Sequence, residues 1–512
     1  MRRWPRFAGF TLALVTLVFT SLQPVAVAGG SSGSSAAAVP AVRLKVMTFN
    51  IEYGGTVIDF DKIAEAAVRS DADVIGVNEA YAHTRRLAHE AGFDYWNTRM
   101  DVISKYPLLD PPAANGRYLF VQLAPGQVVA IANIHLPSTN YGPRRILDGW
   151  HRKKVLRYER STRLPAIEPF ADALGPVAAA GIPSFITGDF NSPSFQDWTR
   201  RTVGLRPQLR WPVRWPVSEL LADQGWLDTF RVAHPSPVRV PGLTWPAKRP
   251  PSPDSWNPRK DAPADRIDQV WLAGSGTTLR SQVVGERGRR GVDIGVKPWG
   301  SDHRAVVSTV DVVPGTPPVM VSADPRLVDK GDDVTVTYHA PGNAGEKVVI
   351  VPTGGDPATD GVDQQGTTAA DDVDGSVVFA TGTWTTGGYD AVLVDASDVE
   401  LTRGGFWVRA PGAPPVVDTS RWRYGVGDPI TVTWEGAPGN RFDWIGIYDR
   451  DANPFVAYYK AYLYTHATVA GSATFSDHSV GRWPFPPGRY TAYYLLNDNY
   501  KQIAGADFVI AK

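Results

Sequence analysis

Six short stretches of this 512-residue chain place carboxylates, amides or imidazoles at the ends of apolar runs, four behind such a run and the last two just before one. They are Phe49-Asn50-Ile51-Glu52, Val77-Asn78-Glu79, Asn133-Ile134-His135-Leu136-Pro137, Gly188-Asp189-Phe190-Asn191, Asp265-Arg266-Ile267-Asp268 and Ser301-Asp302-His303. A single Asn or Asp after a strand ordinarily forms a turn or caps a helix. Six polar groups on six apolar strands are harder to assign to turns. Gathered along one edge of a fold, they bring carboxylates, amides and two of the nine histidines together.

The residue types define the chemistry. The chain has no cysteine, which removes disulfides, thiolate nucleophiles and thiolate zinc sites. Oxygen ligands favour a hard cation, Mg²⁺ ahead of Zn²⁺, with Mn²⁺ as the alternative. Glu79 and Asp302 can hold it, and Asn50 can add a neutral oxygen. His135 and His303 carry imidazole, the side chain whose ordinary pKa lies closest to neutrality, and suit proton transfer. Asp268 can fix a histidine tautomer, and Asp189 with Asn191 can align water. Metal, acid–base groups and amide donors together suit hydrolysis at phosphorus, where catalysis is mostly positioning and charge neutralisation.

The elements that must position these groups follow from hydrophobic spacing. Runs at 44–49, 74–77, 128–134 and 182–187 read as strands. Ile63, Ala64, Ala67 and Val68 recur at helical spacing, and 144–163 and 167–174 read as helices. Residues 42–313 thus form a mixed α/β domain that ends at the Pro-rich joint Val313-Pro314-Gly315-Thr316-Pro317-Pro318. Beyond it, Gly331-Asp332-Asp333-Val334-Thr335-Val336 matches Gly427-Asp428-Pro429-Ile430-Thr431-Val432. Gly388-Tyr389-Asp390-Ala391 likewise matches Arg489-Tyr490-Thr491-Ala492. Two tandem immunoglobulin-like β-sandwiches follow, over 319–410 and 415–512. The joint predicts few contacts across it, so that a chain ending at Val313 folds and cleaves soluble substrate. The second repeat holds 19 aromatics in 98 residues, against 11% of the whole chain. They read first as a sandwich core and second as a face for carbohydrate or cell wall.

The ordered set resembles the endonuclease/exonuclease/phosphatase superfamily, the DNase I-like fold. The carriers are TFNIE at 48–52, VNEA at 77–80, NIHLPS at 133–138, GDFNS at 188–192, DRID at 265–268 and SDHRAV at 301–306. The resemblance implies a four-layer α/β/β/α sandwich over 42–313, which with the two all-β domains read from the repeats makes an α+β chain. It puts Asn50, Glu79 and Asp302 at the family's metal positions. Asp189 and Asn191 take the positions that orient water and phosphate, and Asp268 and His303 take the Asp–His pair. His135 takes the histidine of the DNase I and sphingomyelinase branches. The usual Gln before the metal Glu is Asn78 here. No carboxylate partner for His135 can be placed.

Arg2, Arg3 and Arg6, an apolar run and Ala26-Val27-Ala28 read as a signal peptide over 1–28, with a flexible linker over 29–41. The expected product is secreted, extracellular and without a transmembrane span. Fifty-two basic residues balance fifty-two acidic ones, so general adhesion to polyanions is not expected and local charge decides what approaches. One such place is 140–163, with eight Lys/Arg against Asp148 and Glu159; another is Arg214 between Trp211 and Trp215. The resulting reading is a metal-dependent phosphodiester hydrolase acting on a phosphate ester, with extracellular nucleic acid ahead of phospholipid. A sphingomyelinase-like lipid phosphodiesterase or a phosphatase is the nearest alternative. A surface-binding protein on an inactive hydrolase fold is the alternative of another class.

Overall fold

The computed structural model describes residues 40–511, apart from 253–256, 258–260, 368–372 and 478–479. The signal peptide expected over 1–28 and nearly all of the linker lie outside the described residues. Among the described residues, no helix is long and apolar enough to cross a membrane.

Eight elements position the polar strand ends. In chain order they are β1 (Val42–Asn50), α1 (Phe60–Ser70), β2 (Val74–Asn78), β3 (Gln127–His135), α2 (Arg152–Ala179), β4 (Ser184–Asp189), β5 (Asp268–Ala273) and β6 (Ala305–Val312). β1 lies inside a seven-stranded sheet, antiparallel to β6 and parallel to β2, with Asn50 opposite Asn78. β3, β4 and β5 are neighbours in a six-stranded sheet. Alternation along each strand decides which side faces which layer. Leu44 and Val46 of β1 meet Val129, Ile131, Phe185 and Leu272 between the sheets. Met47 and Phe49, one step out of phase, meet Ile63 and Ala67 of α1 on the outside. Ile167, Ala171 and Leu174 of α2 cover Ala130, Ala132 and Ile186 of the second sheet. The layers are therefore α/β/β/α.

The helical stretches expected at 144–163 and 167–174 are resolved differently. A short helix spans Gly142–Leu147, and α2 then runs for 28 residues through Pro165, Pro169 and Pro176. Each internal proline removes a backbone bond. The helix persists because Val155, Glu159, Arg163, Ile167 and Ala171, spaced by four, are all buried on one face, and tertiary burial of such a face carries most helical stability.

The region after residue 318 is all-β. The strands Met320–Asp324, Asp333–His339 and Asp374–Ala380 face a five-stranded sheet ordered Leu327–Asp329, Glu400–Arg409, Gly387–Val394, Lys347–Pro352, Asp363–Gly366. The same order recurs downstream, with Val416–Thr419, Ile430–Glu435 and Gly471–Phe475 facing a six-stranded sheet. In each copy a tyrosine hydroxyl donates to a carbonyl four residues upstream, Tyr389 to Thr385 and Tyr490 to Pro486, both at 2.8 Å. The contact is similar to the tyrosine corner described for immunoglobulin-like sandwiches. Tyr424, Trp434, Phe475, Tyr490, Tyr494 and Phe508 fill the second core. A separate set, including Trp444, Tyr448, Tyr459 and Tyr462, packs in its own cluster apart from that core.

The expectation of few contacts across the Pro-rich joint is contradicted. Gly315 exchanges two backbone hydrogen bonds with Val128 of β3, at 2.8 and 3.0 Å. Asp110 of the α/β region pairs with Arg326 at 2.9 Å, and its N–H donates to Ser322. Met320 joins the core under α2. The second sandwich also docks: Arg99 donates to the carbonyls of Gly439 and Ala467, and Arg441 N–H donates to the Arg99 carbonyl. Proline spacing identified a boundary in sequence, but it carried no information on whether the surfaces beyond it are complementary. A chain ending at Val313 should therefore be unstable, because it uncovers Arg99, Asp110 and the apolar cluster around Met320. Soluble yield and a cooperative thermal transition are the measurements. A truncated chain with full activity on a small ester would restore the independent-domain picture.

Candidate active site

Strand register assembles half of the site. β3 pairs in parallel with β4, placing His135 opposite Asp189, and β4 pairs antiparallel with β5, placing Asp189 opposite Asp268. Residues opposite one another share a face, so His135, Asp189 and Asp268 form one row across three strands. The row is tight. A Cβ on Gly188 would lie 1.9 Å from the Ile134 carbonyl oxygen, so only glycine permits this approach of β4 to β3.

The first sheet supplies the other half, joined by buried amides. Asn78 donates to the Ile134 carbonyl at 2.8 Å and accepts from the Asp189 N–H at 2.8 Å. Asn133 donates back to the Val77 carbonyl at 2.7 Å. Gly76 leaves room for this crossing, since a Cβ there would sit 2.2 Å from Thr187 Oγ1 and 2.6 Å from Asn133 Oδ1. Two asparagines thus tie the ends of β2, β3 and β4 together, with both ends of each amide satisfied.

All eight predicted site residues meet in one connected cluster. Asn50 Nδ2 lies 3.1 Å from Glu79 and 3.3 Å from Asp189. Asn191 donates its backbone N–H to Asp189 at 2.8 Å and its side-chain amide to the Leu136 carbonyl at 2.9 Å. His303 Nδ1 sits 3.0 Å from Asp268, and its Nε2 lies 3.7 Å from Asp189 and 3.9 Å from Asp302. His135 Nε2 lies 3.6 Å from the same Asp189 oxygen. Burial alone would push the His303 pKa down, but Asp268, Asp189 and Asp302 outweigh it and hold the ring protonated well above the usual imidazole range. Burial raises Asp189, with Asp268 adding and the two imidazoles opposing.

The donor set fits a hard cation. Burial, reinforced by Glu52 and Glu79 and opposed by His303, raises the Asp302 carboxyl to about 7. Crowded buried carboxylates of this kind are stabilised by a divalent ion. Asn50 presents Nδ2 to Glu79 and Asp189 while its Oδ1 accepts from the Glu52 N–H at 3.0 Å. To ligate a cation through oxygen, that amide would turn over. Among the described residues, the acidic and histidine side chains whose ligand atoms cluster within 4.8 Å are Asp189, Asp268 and His303. Of these, Asp268 and one nitrogen of His303 are already engaged with each other.

Several residues were not singled out from the sequence. Glu52 and Arg249 form a buried two-point ion pair at 2.5 and 2.6 Å, and Glu52 also accepts the Asp302 N–H at 2.9 Å. Trp245 donates its indole N–H to Asp302 at 3.2 Å. Ser301 Oγ bridges the Asn50 carbonyl and the His303 N–H. Glu52 lies inside a recognised stretch and could have been found; Trp245 and Arg249 stand in loops with no local signal. Trp215 is buried against Trp198 at 5.0 Å between ring centroids, so it is a packing anchor and cannot stack a ligand. In the basic segment, Arg144 and Arg145 pair with Asp148 and Arg163 with buried Glu159. Lys153, Arg157 and Arg160 remain along an open groove on α2.

The profile of the Endonuclease/Exonuclease/phosphatase family matches residues 47–303. An uncharacterized protein of Caenorhabditis elegans is 28% identical over 259 residues, 45% of this chain and 79% of the relative. A solved endonuclease/exonuclease/phosphatase from Beutenbergia cavernae is 17% identical and covers 71% of this chain and 99% of its own, with a TM-score of 0.34. An AP endonuclease from Archaeoglobus fulgidus is 14% identical, covering 52% and 98%, with a TM-score of 0.33. A mannosyl-6-phosphatase from Bacteroides thetaiotaomicron is 13% identical, covering 52% and 99%, with a TM-score of 0.32.

The Asp268–His303 contact predicts non-additive kinetics. His303→Ala should lower kcat/KM by roughly 10² to 10⁴. Asp268→Ala should cost little more in that background, because a residue acting through another cannot lose its effect twice. Losses that multiply in the double variant would show that the two side chains act separately.

Proposed function

Because the chain belongs to the endonuclease/exonuclease/phosphatase family, we propose that it is a secreted, divalent-metal-dependent phosphodiester hydrolase with extracellular nucleic acid as its first substrate class. One observation carries the reading: Nε2 of His135 and Nε2 of His303 lie 3.6 and 3.7 Å from the same oxygen of Asp189. A phosphodiester needs a proton taken from the attacking water and one given to the departing oxygen. Two imidazoles around one carboxylate supply a group for each. Asp189 and Asn191 orient water and phosphate, while Asp268 holds His303 with Nε2 turned into the site. A divalent cation bound by Glu79, Asp302 and the Asn50 oxygen, Mg²⁺ first and Mn²⁺ second, supplies charge neutralisation at phosphate.

Nucleic acid is favoured by the Lys153–Arg157–Arg160 groove. It lies on the helix whose Tyr158 reaches Thr139, just past His135, at 3.1 Å. Such a face raises the local concentration of a polyanion. A second reading, lipid phosphodiesters, is favoured by Phe455, Val456 and Tyr458, which are 63%, 85% and 79% exposed in one short segment. Export rests on the basic and apolar pattern of residues 1–28.

Full-length protein should cleave single- or double-stranded nucleic acid with Mg²⁺ and lose that activity in excess chelator. Glu79→Gln keeps the side-chain volume and removes its charge; it should cost roughly 10²-fold or more with the fold intact. Side-by-side rates on DNA, RNA, sphingomyelin and a simple phosphomonoester decide the class. Cleavage confined to lipid would replace the first reading with the second, and undiminished turnover in chelator would remove the metal.

A further inference from the structure

The second β-sandwich reaches the site at His135. The Phe442 ring meets the His135 ring edge-on at 6.1 Å, and with Glu79, Asp101, Asn497 and Asp498 the two surround one small cavity. It offers about 10 Å³ to the centre of a water, which is room for one. The sandwich side of the cavity is held in place. Tyr464 donates its hydroxyl to Asp498 Oδ1 at 2.5 Å, and the Asp498 N–H donates to the Phe442 carbonyl at 2.9 Å. Asp443 accepts from the Asn497 N–H at 3.1 Å and from the Tyr494 hydroxyl at 3.0 Å, tying the turn to the sheet. Asn497 and Asp498 both adopt positive φ, 50° and 56°, a conformation that Asn and Asp tolerate better than most side chains.

The polar groups around the cavity are not equally engaged. Glu79 already accepts from Asn50 at 3.1 Å and from the Tyr53 N–H at 3.0 Å. Burial raises Asp101 to about 7, opposed by the Thr84 hydroxyl and Arg441. Burial also raises Asp498, and there the His135 imidazole is the strongest opposing influence, ahead of Tyr464 and Arg441. Among the described residues, no donor reaches the buried Oδ1 of Asn497, although buried polar atoms are nearly always hydrogen-bonded. On the imidazole, Nε2 lies 3.6 Å from Asp189, which leaves Nδ1 for the cavity. Resting on the phosphodiesterase reading above, we infer that Asp498 of the second β-sandwich is a positioning residue for His135, acting through one water held between His135 Nδ1, the Asp498 carboxylate and Asn497 Oδ1. That water accepts from the Nδ1–H and donates to Asp498 and to Asn497, three bonds, the usual number for a buried water. With its proton held on Nδ1, His135 exchanges a proton with the reacting oxygen through Nε2 alone.

Turnover and the imidazole signal of the full-length protein test this separately. Asp498→Asn keeps the size of the side chain and its tolerance for positive φ while removing the charge. On a simple phosphodiester, kcat should fall roughly 10- to 100-fold with KM changed by less than about twofold. In the His135→Ala background the same substitution should change kcat by less than about twofold, because a residue that acts through His135 then has nothing to position. Tyr464→Phe, which releases Asp498 Oδ1, should behave the same way with a smaller loss. Equal losses in both backgrounds would mean that Asp498 only keeps the sandwich docked, and would overturn the inference. In protein labelled with ¹⁵N-histidine, the signal that disappears in His135→Ala should show Nδ1 protonated in the neutral ring, and Asp498→Asn should shift it toward a mixture of tautomers. A signal that Asp498→Asn leaves unmoved overturns the inference as well. Hydrolysis of no phosphodiester at all would instead defeat the proposed function, while the imidazole signal still decides whether Asp498 orders His135.

Discussion

Asp189 sits almost fully buried at the seam between the two sheets, and the geometry of the site is set from its carboxylate. Asn50, His135, Asn191 and His303 all lie within 3.7 Å of it. Its own N–H is taken by Asn78 from the opposite sheet. A buried carboxylate is costly unless donors and positive charge surround it. The surroundings therefore cannot be rearranged one residue at a time. That constraint explains why two glycines, Gly76 and Gly188, are placed where the strands would otherwise be held apart.

The same logic extends outward. Asp302 is held by two contacts from distant parts of the chain, its N–H to Glu52 and its Oδ2 to Trp245. Glu52 is in turn neutralised by Arg249. Breaking a buried ion pair by removing one partner leaves a charge without compensation and typically costs 3–5 kcal/mol. The Glu52–Arg249 pair is thus a support for the ligand set rather than a surface decoration, and the whole centre behaves as a preorganised electrostatic unit.

The docked second sandwich changes what the molecule is. Its core is closed by its own aromatics, and its tyrosine hydroxyl contact repeats that of the first, so it has the parts of an independent module. Yet Arg441 is buried at the contact, where burial lowers its guanidinium to about 9 against the opposing pull of Asp101 and Asp498. Burying an arginine this far is sustained only where nearby carboxylates and an aromatic face, here Phe170, compensate. Such a contact is specific to one docked arrangement.

The amino-acid sequence by itself determined most of the centre and, through apolar runs, the strands β1 to β4; the layers were legible through the resemblance of the ordered motifs to one family. The polar groups at 50, 79, 135, 189 and 191 were legible because they end or closely follow apolar strands, and those at 268, 302 and 303, which open or precede strands, because the ordered motifs resemble one family. Short-range pattern suffices there, since the side-chain period of a strand is local and strand ends of one sheet share an edge. The prolines of α2 and the Pro-rich joint were misread for the converse reason: whether a helix survives its prolines, or a linker lies down on a strand, depends on surfaces far away in sequence. Only the tertiary structure decided that Trp245 and Arg249 support Asp302, and that Phe442, Asn497 and Asp498 face His135 from more than 300 residues downstream. Their roles come from complementarity between separately folded surfaces, and no local spacing in a chain encodes which two surfaces will meet.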